Sequence, residues 1–250
     1  MSEPQPSGSS PPPQRRCRLL VGVCTYNEAE NIAAMIERLR AVLPDADLLI
    51  VDDDSPDGTA RIALALADQM AQVRVQVREH ERGLGSAIRY AMQQAIEHSY
   101  DYFLNLDGDL SHDPAQLPRL LDHAMADPEV DVVVGSRYVT GGEIVGWPWR
   151  RRVMSRMVNR FATLCLRLPV KDCSGSMRCY RVDALKRLNL GDWNSPGYSL
   201  LEEVLVLLKR DGAVMGEVPI TFTDRQRGQS KLTLREAARS AVKIVSLMFR

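Results

Sequence analysis

The sequence predicts an α/β fold in which a mostly parallel central sheet is flanked by helices, and three observations carry that reading. From Arg18 onward, short apolar runs alternate with stretches of helical periodicity, the order that right-handed βαβ crossovers produce. Runs such as Leu48 to Val51 and Phe103 to Leu106 read as buried strands of a parallel sheet. Two of them end in acidic clusters, LLIVDDDSPDGT at Leu48 to Thr59 and YFLNLDGDLSHDP at Tyr102 to Pro114. In open sheets of this kind ligands bind beyond the carboxyl ends of the strands, so both clusters point into one crevice.

The first strand runs to Cys24, followed by a helix over Ala29 to Leu43 and a strand over Leu48 to Asp52. Helix Gly58 to Met70, strand Val73 to Val77 and helix Leu84 to His98 come next, then strand Tyr102 to Asp107. The helix from Pro114 to Ala126 has a clear start, with Asp113 as N-cap and Pro114 at the first helical position. Strand Val130 to Ser136 closes this half. After it the pattern changes: Val139 to Lys171 holds Trp147, Trp149 and a dense arginine group, and a hairpin is expected around Ser174 to Arg181. Helix Leu200 to Lys209, strand Ala213 to Ile220 and a final helix Leu234 to Arg250 complete the chain.

Residues 1–16 contain PSGSSPPP and cannot bury enough surface to offset chain entropy, so they are expected to be a disordered tail ahead of one domain over 17–232. The remaining 233–250 read as an amphipathic helix. With 250 residues, 45% of them apolar, the chain is long enough for a sizeable core. Its 32 basic and 32 acidic residues cancel, so no global field favours nucleic acid, and anion binding must come from local patches. The five cysteines form no Cys-x-x-Cys pair, which favours reduced, structural thiols. No run of 18 apolar residues and no signal-peptide pattern is visible, so the expectation is a soluble or peripheral protein.

Two common phosphate-binding devices are missing. Thr25-Tyr26-Asn27-Glu28 follows the first strand where a dinucleotide fold has Gly-x-Gly-x-x-Gly, and no Gly-x-x-x-x-Gly-Lys-Ser/Thr occurs. A carboxylate-held metal diphosphate remains. Asp107 and Asp109 are two residues apart, so they share a face if the strand persists, and Gly108 allows close approach. Two such carboxylates suffice for a divalent cation, Mg2+ or Mn2+, that takes its other ligands from water and phosphate. Glu28 and Asp53, at neighbouring strand ends, are free to accept from base or ribose hydroxyls. His112 reads as a loop or cap residue.

The strings CTYNEAENI, IVDDDSPDGT, ERGLGSAI, NLDGDLSHDP, VVGSRY, DCSGSMRCYR and DRQRGQSK, in this order over about Leu19 to Lys231, resemble the dolichol-phosphate mannose synthase group of the family-2 glycosyltransferases. The resemblance implies a GT-A fold and inverting transfer of mannose from GDP-mannose to a dolichyl or polyprenyl phosphate lipid. It implies a divalent metal and a cytoplasmic protein in peripheral contact with the cytosolic face of a membrane, and it leaves open whether a separate membrane-anchoring subunit holds the enzyme. By position it implies Thr25, Tyr26, Glu28, Val51 and Asp53 around the donor nucleotide, and Asp107, Gly108 and Asp109 at the diphosphate, with Ser111 able to complete the metal shell. Arg137, Arg151, Arg225 and Lys231 match basic positions that contact donor diphosphate or acceptor phosphate, with Asp109, Arg137, Arg225 and Lys231 the catalytic set. Cys24 departs from the family, which has proline there. Glu203 matches an acidic family position, while Glu202 is expected to face another way.

The acceptor phosphate is already anionic at neutral pH, its second pKa being about 6, so no strong general base is required. Bringing that phosphate beside a diphosphate is the harder task, and arginine forks with a lysine can screen the repulsion. The run WPWRRRVMSRMVNR at Trp147 to Arg160 is either a solvated basic helix face or a membrane-surface element. Two alternatives stay open: transfer of glucose or another sugar from a UDP donor to the same lipid class, and a non-catalytic subunit that binds a nucleotide sugar. A nucleotidyltransferase would share the metal carboxylates but leave Arg-x-Arg-Gly-x-Ser-Lys without a role.

Overall fold

A computed structural model describes residues 17–189, 193, 197 and 199–225. The tail 1–16, Lys231 and the helix expected over 233–250 lie outside the described residues. Nine strands and seven α-helices are described, beginning β1 (Leu19–Thr25), α1 (Ile32–Val42), β2 (Asp47–Asp52), α2 (Thr59–Ala67), β3 (Val73–Val77), α3 (Leu84–Glu97) and β4 (Tyr102–Asp107). There follow a 3-10 turn at Pro114–Gln116, α4 (Leu117–Ala126), β5 (Val130–Ser136), β6 (Glu143–Val145), α5 (Trp149–Cys165), β7 (Arg178–Arg181) and α6 (Val182–Lys186). Helix α7 (Ser199–Arg210), β8 (Val214–Pro219) and β9 (Thr221–Thr223) end the order.

Seven strands form one sheet in the order β3-β2-β1-β4-β7-β5-β8, and β6 pairs with β9 in a small parallel sheet of two. All neighbours in the large sheet are parallel except β7, which runs antiparallel to both β4 and β5. Both faces are covered at the centre of the sheet, which is why β1 is almost wholly apolar: all seven of its residues are buried. Successive residues serve opposite cores. Leu20 and Phe103 pack with α3, α6 and α7, while Val21, Val23, Leu104 and Leu106 pack with α1, α2 and α4. Gly22 is needed in β1 because a Cβ there would stand 2.7 Å from the Phe103 ring.

The chain leaves β1 toward β2 and β3, then returns through α3 to β4 on the other side of β1. That reversal opens a crevice at the carboxyl ends of β1 and β4, where Cys24 is level with Asp107 and Thr25 with Asp52. The start of the helical segment after β4 agrees with the sequence: the Asp113 side chain accepts from the Ala115 N–H, and Pro114 opens the turn.

One expectation on the second half is corrected. No hairpin forms around Ser174 to Arg181. One short strand, β7, is inserted between β4 and β5, and its Arg178, Cys179 and Tyr180 are buried. Arg178 makes that burial tolerable by donating to the carbonyls of Cys173, Gly175 and Leu201, so its charge is fully hydrogen-bonded. The arginine-dense stretch folds as β6 and the seventeen-residue helix α5.

Candidate active site

The crevice is lined on one side by the segment after β1. Asn27 takes a left-handed conformation (φ 57°), which turns Glu28 back over the strand ends. Glu28 is buried, and its Oε2 accepts from Asn31 Nδ2 at 2.8 Å. The half-buried Tyr26 ring lies 6.0 Å from the Arg82 guanidinium. Thr25 is a latch within the fold: its hydroxyl donates to Asp52 Oδ2 at 2.8 Å, and Asp52 in turn holds the Ser55 N–H and hydroxyl.

The residues expected around the nucleotide therefore divide. Val51 is wholly buried, and its backbone stands in the ladder between Cys24 and Gln76. Its side chain packs in the core instead of meeting a ligand. Asp53 is not free as expected, because Oδ1 accepts from Arg78 Nε at 2.8 Å and Oδ2 from the Gly83 N–H at 2.6 Å. Any hydroxyl that Asp53 receives shares a carboxylate already oriented by Arg78. Cys24 is buried beneath Asp107, and burial followed by the Asp107 charge pushes its thiol well above the usual range.

Strand β4 ends at Asp107, so Asp109 lies in the following turn, which closes with Leu110 at φ 59°. Gly108 is required by the fold: a Cβ would meet Thr25 Cγ2 at 2.7 Å, so the close approach is that of a β1 side chain. Burial, then the negative charge of Asp109, raises the Asp107 carboxyl to about 7. Asp109 Oδ1 accepts from the Ser111 N–H at 2.9 Å, and its Oδ2 meets Arg225 Nε at 2.5 Å. Arg225 Nη1 also lies 3.7 Å from Glu28 Oε1.

The chemistry of these groups fits a hard cation. Asp107 and Asp109 offer carboxylate oxygens, and Ser111 Oγ is buried beside them with no hydrogen-bond partner. Among the described residues no group of three His, Cys, Asp or Glu converges. Diphosphate oxygens and water would have to complete the shell, as is usual for Mg2+.

The opposite wall is cationic and aromatic. Arg137 is buried and grips Asp172, with Nε to Oδ2 at 2.7 Å and Nη2 to Oδ1 at 2.8 Å, and Nη2 also donates to Ser174 Oγ. Burial opposes the Arg137 charge, but Asp172 outweighs it and holds the guanidinium above its ordinary range. Phe222 on β9 is the hub of this wall. Its ring lies 5.0 Å from His112, 5.4 Å from Trp147 and 5.6 Å from Arg137. Arg151, at the start of α5, stacks 3.9 Å over Trp147 and reaches Asp224, which also accepts from the Trp147 ring N–H at 3.0 Å. His112 is fully enclosed here with Nδ1 unpartnered, and burial, then the Arg137 charge, lowers its pKa to about 4, so it is neutral at physiological pH.

Residues 20–188 match the family described as Glycosyl transferase family 2. The chain belongs to this family. The glycosyltransferase is 38% identical over 225 residues to a polyprenol monophosphomannose synthase of Mycolicibacterium smegmatis, covering 88% of this chain and 84% of that relative. It is also 38% identical over 216 residues to an undecaprenyl-phosphate mannosyltransferase of Micrococcus luteus, covering 86% and 88%. Glucosyl-3-phosphoglycerate synthase from Mycobacterium tuberculosis, solved with Mn2+ and UDP-glucose, has the same architecture, with a TM-score of 0.68 at 18% identity over 94% of this chain and 78% of that one. The fold is GT-A, as the sequence strings imply.

Of the expected site residues, Glu28, Asp109 and Arg225 are in direct contact, and Asp107 and Ser111 adjoin them. Arg137 and Arg151 stand on the facing wall, linked through Phe222 and Trp147. Sequence reasoning missed Arg78, Phe222 and Asp224. Asp224 had a signal, standing directly before the Arg-x-Arg-Gly motif; Arg78 opens the charged run Arg78-Glu79-His80-Glu81-Arg82, which does not single it out, and Phe222 has no polar signal at all.

Proposed function

We propose that the glycosyltransferase moves mannose from GDP-mannose to a dolichyl or polyprenyl phosphate with inversion, giving a β-linked phosphosugar lipid, in a metal-dependent reaction. The observation that carries this reading is the pairing of an acidic strand end, Asp107 and Asp109, with a facing wall of arginines. A transferase joining a phosphate acceptor to a diphosphate donor needs both. The relatives named polyprenol monophosphomannose synthase and undecaprenyl-phosphate mannosyltransferase support mannose transfer to a polyprenyl phosphate.

Glu28 and Asp53 orient the nucleoside by accepting its hydroxyl or base N–H groups. Arg137, Arg151 and Arg225, with Lys231, hold the acceptor phosphate against the repulsion of the donor. A phosphate oxygen then forms a bond to the anomeric carbon as the bond from that carbon to the GDP oxygen breaks on the opposite side. No proton has to be removed from the nucleophile, which agrees with the neutral, enclosed His112. A divalent metal held by Asp107 and Asp109, with Ser111 near it, would supply positive charge to the departing diphosphate.

No described helix is long and apolar enough to cross a membrane, and the proposed location is peripheral, at the cytosolic face. The reading is tested by incubating the protein with Mn2+, a short polyprenyl phosphate and GDP-mannose, UDP-glucose or UDP-N-acetylglucosamine in parallel. A mannosyl lipid with β configuration by NMR is expected from GDP-mannose. Transfer from UDP-glucose alone would replace the donor assignment, and transfer from none would sink the enzyme's proposed substrates.

A further inference from the structure

Arg78 and Asp53 form a buried ion pair, 7% and 6% exposed, just beyond the carboxyl ends of β3 and β2. Both backbones are anchored. The Arg78 N–H extends the strand ladder by donating to the Asp52 carbonyl at 2.8 Å, and the Asp53 N–H donates to the Thr25 carbonyl at 3.1 Å. Four of the five N–H groups of the guanidinium are engaged. Nε and Nη2 both donate to Asp53 Oδ1, Nη2 also to the Gly83 carbonyl at 3.1 Å, and Nη1 to Ser86 Oγ at 2.8 Å. An arginine so engaged holds its neighbours instead of a ligand.

Asp53 is left with a narrow capacity. Each carboxylate oxygen has two acceptor positions. Oδ1 fills both with Arg78, and Oδ2 fills one with the Gly83 N–H at 2.6 Å. Among the described residues, one position on Oδ2 stays open. Gly83 is fixed in turn: its φ of 129° suits glycine, and its carbonyl accepts from Arg78 and from the Ser86 hydroxyl at 2.9 Å. The same loop carries Arg82 to Asp54 at 2.9 Å and to within 6.0 Å of the Tyr26 ring.

We infer that Arg78 is a positioning residue for the donor: it sets Asp53 to accept a single N–H or O–H from the nucleoside through Oδ2. This rests on the reading that the crevice takes a nucleotide sugar. A buried ion pair adds little net stability by itself, whereas a carboxylate locked at the crevice with one acceptor position open is suited to recognition. Lysine cannot take over the task, because one ammonium does not reach Oδ1, the Gly83 carbonyl and Ser86 in the planar fork that fixes the carboxylate.

The test uses the full chain with Mn2+ and the variant Arg78→Lys, which keeps a counter-charge for Asp53 but loses the fork. Circular dichroism and a thermal melt establish that it folds. Calorimetry gives Kd for GDP, ADP and inorganic pyrophosphate, and a transfer assay gives kcat and the separate KM values of donor and acceptor. The Kd of GDP and the donor KM are expected to rise at least about tenfold in the variant, the scale of losing a hydrogen bond to a charged group. Pyrophosphate Kd, acceptor KM and kcat at saturating donor should stay within about twofold, the mark of lost ground-state binding. A loss shared by ADP assigns the bond on Oδ2 to a ribose hydroxyl, and a loss confined to GDP assigns it to a base imide N–H, which adenine lacks; either upholds the inference.

GDP bound equally by the folded variant and the wild type would overturn it. So would pyrophosphate weakened as much as GDP, since the pair would then only support the site as a whole. If the wild type binds UDP and not GDP, UDP becomes the probe under the same criteria; a wild type that binds neither would overturn the nucleotide donor and this role together. If Arg78→Lys folds poorly, Ser86→Ala, which removes the acceptor of Nη1, takes its place with an expected loss of at least about threefold and the same split. Nucleotide affinity lost as expected, with no transfer by either protein, would uphold the role of Arg78 and sink the proposed transfer.

Discussion

Arg225 closes on Asp109, Nε to Oδ2 at 2.5 Å, in the place where a cation bound by that carboxylate would sit. From sequence, Arg225 is a phosphate ligand. In the structure its partners are the carboxylates Asp109 and Glu28. On the proposed function it would change partners when donor and metal enter, and the incoming diphosphate would be the counter-charge that makes the exchange favourable.

Arg225→Ala is therefore expected to act in two directions. Without donor, Mn2+ affinity should rise, by about tenfold if the exchange releases about 1.4 kcal/mol. Transfer should fall sharply, because the same side chain is lost to the phosphates. Electron paramagnetic resonance of free Mn2+ gives the first number and a radiolabel assay the second. Unchanged Mn2+ affinity would mean that the ion pair does not compete with metal.

The Arg137–Asp172 pair carries a different burden. Both members are buried and fully engaged, so Asp172→Asn leaves a guanidinium without its counter-charge and should cost about 3–5 kcal/mol. Arg137→Ala should likewise destabilise by exposing the need of Asp172, and losses in transfer by this variant will mix stability with phosphate binding. A double-mutant cycle by denaturant melts separates them: coupling below about 0.5 kcal/mol would show that the pair is not acting as a unit.

Glu202 gives the fold a pH dependence. Burial raises its carboxyl from an ordinary value to about 7, and the nearby Arg178 charge only partly offsets this. Between the unfolded value and about 7 the folded protein holds a proton that the unfolded chain has lost. Stability is then fully present at the acid end of that window and falls by about 1.4 kcal/mol per pH unit as pH rises through it. Glu202→Gln should lessen the fall of the melting temperature between pH 5 and 7, leaving the part that the likewise raised Asp107 carboxyl contributes. An equally steep profile in that variant would assign the dependence to another group.

The sheet was legible because the central parallel strands β1, β2 and β4 are mostly apolar runs bounded by turn residues, and the order of runs and helices leaves few topologies. Strand β7 was not, since a four-residue strand containing Arg178 and Arg181 has no apolar pattern, and only its insertion between β4 and β5 makes it a strand. Asp107 and Asp109 were legible from their place after β4. The partners that hold Thr25 and orient Asp53 were not, because Asp52 and Arg78 reach them through space, from a neighbouring strand end in each instance. Val51 looked like a ligand residue by position, yet a strand residue between two paired neighbours has nothing left to offer.

The last expectation concerns metal. Asp109 provides one oxygen to the Ser111 backbone and the other to Arg225, and it is the carboxylate that a cation must win from that arginine. Asp109→Asn keeps the shape and the acceptor for the Ser111 N–H but removes the charge. The fold should survive, because Arg225 is not deeply buried and keeps Glu28 within 3.7 Å. Mn2+ binding should drop below detection and transfer by at least about a thousandfold, the scale of losing a group that stabilises charge on the leaving diphosphate. Excess EDTA should stop the wild type, and added Mn2+ or Mg2+ should restore it but not the variant. Full transfer in EDTA, or a variant that transfers at the wild-type rate, would show that the arginines alone stabilise the departing nucleotide and that the two aspartates serve the turn.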